Sequence, residues 1–393
     1  MKILKIPILL LGVLLLAACQ SDDTDFGSLI YNEENIEVKD IQPDESPLEE
    51  SERVPVGDND YVENSDFDHV IYITYDGDGV TLTGETSRIS YTVDGAHVVV
   101  RAQKSGMEYV LSGRTANGGL KIYSEKKYKL TLAGVDITNP KGAAINNQCG
   151  KSLYVVLGSG TVNRLEDGTS YDTPALEDEK GAFFSEGQML FSGAGTLHVT
   201  GHYRNGIASD DYILFRPGNI INVTTDANNG VKANDGVDIR GGVLNIQTTG
   251  NGAKGINSEA YVNVSGGRTT IINAGESRIE GTDTTTCAAV KTDSTFTMTA
   301  GTLRLKATGA AGKGINAAMA VTVMGGTLDV VTLGAKVNGS PKGIKSDADI
   351  TLGGGTIYVY SKAAVAVEAA GTLIVKEGYT VWHAGRHLFE LSY

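Results

Sequence analysis

The chain has 393 residues, with 33 Lys+Arg against 47 Asp+Glu and a formal charge of −14. Its 50 glycines among 393 residues are about 13%, nearly twice the usual ~7%, but the absence of a three-residue glycine period excludes collagen. Hydrophobic residues at 41% exclude global disorder, and the acidic balance opposes the basic footprint of a nucleic-acid binder, so no nucleic-acid partner is expected.

In chain order, Lys2 and Lys5 precede an apolar run from Ile8 to Leu16 that meets Ala17-Ala18-Cys19. A short positive start, an apolar stretch and small residues before a cleavage point form a secretory signal. The run is too short to span a bilayer, which takes about 20 apolar residues. Leu16-Ala17-Ala18-Cys19 resembles a bacterial lipobox, which implies that residues 1–18 are removed as a signal peptide and that Cys19 carries lipid. Gln20-Ser21-Asp22-Asp23 resembles the acidic tag that sends some lipoproteins to the outer cell surface. The two resemblances imply an outer-membrane, surface-exposed lipoprotein that meets the membrane through its lipid alone.

Residues 20–68 carry 17 Asp+Glu against Lys39 and Arg53. High charge with few apolar groups cannot offset the entropy of ordering, so residues 19–68 are predicted to be a flexible acidic tether. Ile36, Val38 and Ile41 are the apolar hints that part of it caps the next domain.

Beyond the tether the chain repeats. Related five-residue motifs begin at Gly206, Gly230, Gly255, Ala289, Gly314 and Gly343, with start-to-start spacings of 24, 25, 34, 25 and 29 residues. Eleven residues after each start stands a turn pair, from Pro217-Gly218 to Gly354-Gly355. Between these marks apolar residues alternate, as in Val237/Ile239, Val262/Val264 and Leu328/Val330, the period of strands buried on one face. A propeller blade needs about 40 residues, so these units are solenoid coils. The predicted fold is all-β, a right-handed parallel β-helix over residues 69–393 with about 24–25 residues per three-strand coil. Longer spacings at Gly275–Ala288 and Gly334–Lys342 read as loops bulging from one corner. Cys149 and Cys287 fall about five coils apart, roughly 24 Å at ~4.8 Å per coil, beyond the ~7 Å a disulfide allows.

Two stretches carry a family resemblance. One runs from Asn163-Arg164-Leu165-Glu166-Asp167-Gly168 through Lys180-Gly181-Ala182-Phe183-Phe184-Ser185-Glu186-Gly187. The other runs from Gly193-Ala194-Gly195-Thr196-Leu197-His198 into Gly206-Ile207-Ala208-Ser209-Asp210-Asp211-Tyr212. They resemble the bacterial carbohydrate-binding, calcium-associated β-helix lipoproteins whose architecture is like that of pectate lyases. The resemblance implies binding of plant-type polysaccharides of the cellulose or polygalacturonate class, with calcium at acidic turns. The sequence departs where many relatives carry Asp-Asp-Gly: it reads Asn228-Asn229-Gly230, Ala253-Lys254-Gly255 and Gly312-Lys313-Gly314.

Calcium takes six to eight oxygen ligands. Adjacent coils supply Asp210 and Asp211, Asn234 and Asp235, and Glu259, an acidic column that either chelates an ion or forms a solvated ladder stitched by Lys232 and Lys291. The acidic loop Glu166–Lys180 is a second ion site, a binding lip or a solvated insertion. Lys232, Lys291 and Lys345 occupy one column two coils apart, a cation every ~10 Å for an acidic sugar polymer. Tyr203, Tyr358 and Tyr360 are candidates to stack on sugar rings, whereas Tyr212 and Tyr261 are read as one residue out of alignment. The leading expectation is a non-catalytic polysaccharide-binding protein. The alternatives are a calcium-dependent uronate lyase with Lys232 as base, and a structural or adhesive spacer; the oligomeric state stays open.

Overall fold

The computed structural model describes residues 36–172, 174, 176–281, 283–376, 380–384 and 387–392. The signal and lipidation assignments, Cys19 included, lie outside the described residues. Apart from two single-turn 3-10 segments, Val62–Asn64 and Thr86–Arg88, the regular elements among the described residues are all strands.

A full coil contains three strands. Asn205–Ser209, Tyr212–Phe215 and Ile220–Thr225 make one coil, and Val231–Ala233, Gly236–Ile239 and Val243–Thr248 make the next. First strands stack into a 12-stranded narrow sheet, in which eleven strands from Ala96–Ala102 to Val367–Ala369 run parallel and Ile89–Asp94 closes the edge antiparallel, counted among the described residues. Second and third strands merge into a 21-stranded broad sheet. The fold is the expected parallel β-helix. Its repeat period sets the register: Ile207 lies opposite Val231, then Ile256, Val290, Ile315, Ile344 and Val367. These side chains are buried, so each coil removes its neighbour's apolar surface from water.

The turn pairs between second and third strands bend the broad sheet. Gly242 has φ +76°, and a Cβ there would lie 2.8 Å from the Asn219 side-chain oxygen and 2.9 Å from its carbonyl. Only glycine takes this conformation without strain while the coil below approaches so closely. At the ends, the hairpin His69–Asp76/Gly79–Gly84 and the antiparallel pairing of Leu388–Ser392 with Ile350–Ser361 cover edges that would otherwise recruit other strands.

Three insertions, residues 168–180, 274–287 and 333–341, connect a third strand to the next first strand. They leave the stack at one corner and rim the narrow sheet. Cys149 and Cys287 are free and buried.

Residues 36–68 depart from the flexible tether expected of their composition. They lie along the broad sheet as a strap running from the last coils back toward the first. Ile41, only 2% exposed, packs with Val331, Tyr358 and Leu388, and Ile36 joins them. Asp40 then pairs with Lys306 at 3.0 Å and Asp44 with Arg268 at 3.3 Å. Glu50 accepts the backbone N–H groups of Gly242 and Gly267 at 2.6 and 3.0 Å. Asp60 pairs with Arg240 at 2.7 Å, while Val62 and Phe67 cover Tyr154, Leu190 and Leu214. An acidic segment with apolar ends is ordered because the solenoid offers a row of cations with apolar seats at both ends.

Candidate functional site

The strap crosses the broad sheet from the third strands of the last coils to the second strands of the middle ones, and it makes no contact with the outer side of the narrow sheet among the described residues. One outward column there reads Lys121, Asn146, Phe184, Ala208, Lys232, Asn257, Lys291, Asn316, Lys345 and Glu368. The structure places Lys232, Lys291 and Lys345 in this single column, two rungs apart, as expected. The insertion at residues 168–180 folds over the opposite end of the same face: Glu177 pairs with Lys121 at 2.8 Å and accepts the Tyr123 hydroxyl, and Gln148 donates to the Asp178 carbonyl at 2.7 Å.

Beside the lysine column runs the acidic column, and the two are interleaved. Lys232 donates to Glu259 at 2.5 Å and to Asn234 at 3.1 Å, and Asn234 donates to Asp210 at 3.3 Å. Lys291 pairs with Asp293, and Lys345 with Asp347 at 2.5 Å. Asn234 and Glu259 are thus bound to Lys232 in a charge-alternating ladder, and Lys232 as base would first have to leave three acceptors, the Ala233 carbonyl being the third. Asp211 stands apart, held by Gln188 and the Tyr212 N–H; burial, opposed by that N–H and reinforced by the nearby charge of Asp235, keeps its carboxyl above the usual aspartate range. The five predicted metal ligands do not converge on one point.

A different carboxylate group does converge. Oxygens of Asp178, Glu186 and Asp210 lie within 4.8 Å of one another. Lys180 reaches into this group, donating to both Asp210 oxygens at 2.7 Å and lying 2.9 Å from Asp178. Burial, then the charges of Asp210 and Asp178, hold Glu186 above the usual glutamate range even so. The negative charge is therefore not fully balanced by Lys180. The adjacency of Glu186 and Asp210 follows from the register Ser185–Ser209; the arrival of Asp178 from an insertion carried no periodic signal.

The tyrosine expectations need correction. Tyr358 is 4% exposed beneath Lys39 and Ile41, and Tyr360 packs in the same cluster, so the strap covers the pair. Tyr212 and Tyr261 do share a column, on either side of Gly236, where a Cβ would fall 2.4 Å from the Tyr261 ring. Tyr212 donates to Asp60 of the strap and Tyr261 to Asp238 at 3.0 Å. Tyr203 remains exposed, its ring centroid 5.0 Å from that of Tyr171, at the corner of the acidic insertion.

At that corner His202 joins three successive coils. Asp226 at 2.8 Å outweighs burial and, with Glu166 at 3.2 Å, holds the imidazole above its usual range. A raised folded value means that the stabilisation is complete below the unfolded value of 6.5 and is lost as pH rises through the folded one. Urea unfolding between about pH 6 and 9 should show wild type losing more stability than His202→Gln. Parallel curves for the two proteins would remove this role.

With this geometry, the chain belongs to the carbohydrate-binding domain-containing protein family, whose profile matches residues 94–311 and 253–387. A carbohydrate-binding domain-containing protein of Acetivibrio thermocellus is 34% identical over 126 residues, 30% of this chain and 44% of that relative. The match thus spans less than half the length of that relative. A solved polysaccharide lyase-like protein from C. thermocellum, a gadolinium derivative, is similar with a TM-score of 0.54 and 25% identity, covering 66% of this chain and 99% of that one.

Proposed function

We propose that this protein binds a plant-type polysaccharide of the cellulose or polygalacturonate class along the outer face of the narrow sheet, without cleaving it. The observation that carries this reading is the row Lys232, Lys291 and Lys345, two rungs apart, on this face, which the strap does not contact. A row of ammoniums ~10 Å apart, each paired with an exposed side-chain carboxylate (Glu259, Asp293, Asp347) that a uronate would displace, suits an extended polymer with regularly spaced carboxylates and favours the acidic glycan of the two. The family membership and the lyase-like relative support a polysaccharide ligand. The proposal includes attachment to the outer cell surface through lipid on Cys19.

Calcium belongs to the same proposal, at Asp178, Glu186 and Asp210 rather than at the five ligands first expected. Three carboxylates within 4.8 Å fit the oxygen preference of the ion, and the incompletely balanced charge at Glu186 favours a cation there. Lys180 would yield its place. The ion would tie the insertion to two coils.

The full chain should be retained on immobilised polygalacturonate and release no unsaturated sugar ends. A triple Lys232→Gln, Lys291→Gln, Lys345→Gln variant should bind at least about tenfold more weakly, each lost sugar contact being offset by the ion pair it would have replaced. Unsaturated ends would sink the non-catalytic reading, and no retention on cellulose or polygalacturonate would leave a spacer. A chelator should lower the melting temperature of wild type and leave that of Asp210→Asn unchanged; equal sensitivity of both would remove the calcium site.

A further inference from the structure

Five lysines crowd four successive rungs of the narrow sheet. Lys254, Ala288, Lys313 and Lys342 lie opposite one another in one column, beside the column of Lys291, Asn316 and Lys345. Four of the five have acceptors: Lys254 donates to the Gly252 carbonyl at 2.7 Å, Lys291 pairs with Asp293, Lys342 with Glu368, and Lys345 with Asp347. Lys313 differs. Its residue is only 7% exposed, and its ammonium has no hydrogen bond or ion pair among the described residues. It begins its strand between the insertions 274–287 and 333–341, its backbone N–H bound to the Cys287 carbonyl at 3.0 Å. A largely buried lysine whose ammonium has no acceptor in contact is costly; Lys342 and Lys345 stand beside it, and the nearby Glu368 is already paired with Lys342.

We propose that Lys313 is an anion seat, the point at which the narrow-sheet face grips a single uronate carboxylate of the polymer. The proposal rests on the glycan reading above and gives it a specificity-determining residue, which the ladder lysines, already paired with carboxylates, do not supply. A sugar carboxylate provides the missing acceptor, and Lys342 and Lys345 add favourable charge around it. The groups facing Lys313 are Lys345, Lys342, Glu368 and Cys287. Burial first, then Lys345 and Lys342, push its ammonium down to about 8. An entering carboxylate raises that value, so binding above pH 8 takes up a proton.

The test is calorimetric titration of the full chain with oligogalacturonate, its methyl ester and a cello-oligosaccharide. Lys313→Gln should weaken oligogalacturonate binding about tenfold, as expected for one charge-assisted contact, and should not change binding of the methyl ester. Lys313→Arg, which keeps the charge, should retain most of the affinity. At about pH 8.5 wild type should take up protons on binding, read from titrations in two buffers of different ionisation enthalpy, and Lys313→Gln should not. Wild-type affinity and proton uptake in a folded Lys313→Gln protein would overturn the seat while leaving the glycan reading intact. Failure of wild type to bind oligogalacturonate at all would overturn both.

Discussion

Replacing Arg216 with alanine should lower the unfolding free energy by about 3 kcal/mol and free residues 36–68 for protease attack while the coils stay folded. The Arg216 side chain is 6% exposed. It donates to Glu52 at 2.9 Å and, in a fork, to both oxygens of Glu63 at 3.0 Å, with its guanidinium 4.3 Å above the Tyr61 ring. Although burial pulls the other way, Arg216 holds Glu63 below the usual glutamate range. Alanine would leave Glu52, which is 17% exposed, beside a vacated cavity, with the Tyr61 hydroxyl at 2.9 Å but no counter-charge there. Breaking a buried pair costs about 3–5 kcal/mol, and the solvent reaching half-exposed Glu63 brings the figure to the lower end. Arg216→Lys should recover only part, because an ammonium cannot make the planar fork. Denaturant unfolding and timed proteolysis read the two effects. Unchanged protection of the strap in Arg216→Ala would show that its apolar ends and its other ion pairs hold it without this cluster.

Truncating Phe191 to alanine should cost about 3–5 kcal/mol. Its ring is fully buried, stacked on Phe215 at 5.2 Å and 12° and set edge-on to Phe183 at 5.9 Å and 84°. The three rings fill the core across neighbouring rungs, and a stack that fixes Phe215 from one side cannot collapse into the space left. Contacts in a solenoid reach only adjacent coils, so the damage should stay local. Hydrogen exchange should accelerate in Leu153–Leu157, Met189–Gly193 and Tyr212–Phe215 while strands such as Thr302–Ala307 keep their protection. Phe191→Leu should cost much less. Uniform loss of protection along the whole stack would contradict nearest-neighbour behaviour.

The coil period was legible because it is also the register: equivalent motif positions become cross-strand neighbours even where an insertion stretches the spacing to 34 or 29 residues, which is how Lys232, Lys291 and Lys345 could be placed in one column. The strap was not, because its contacts join residues such as Lys39 and Asp329, 290 positions apart, and no periodicity links them. Two marks pointed to it nonetheless. Leu214 breaks the polar pattern of its outward position and turns out to lie beneath Val62 and Phe67. Arg216 and Arg240 recur at equivalent turns, where Glu52, Glu63 and Asp60 meet them. Tyr358 and Tyr360 were candidates for stacking on sugar, but a tyrosine on a strand's outer side is not exposed when another segment covers it. Lys254 and Lys313 stood out as basic residues at turns expected to be acidic, yet only burial and the absence of a partner separate the second from its neighbours.

The route of the strap also fixes how the molecule carries load. Residue 36 lies by the last coils, whereas His69 opens the first, so the strap is a tendon crossing the stack from end to end. Tension applied at residue 36 along the axis draws the first coil toward the last and presses the rungs together. Ion pairs spread along the tendon then share the force in shear, where a perpendicular pull would unzip them singly. A solenoid held this way is compressed along its axis by such a pull rather than drawn apart.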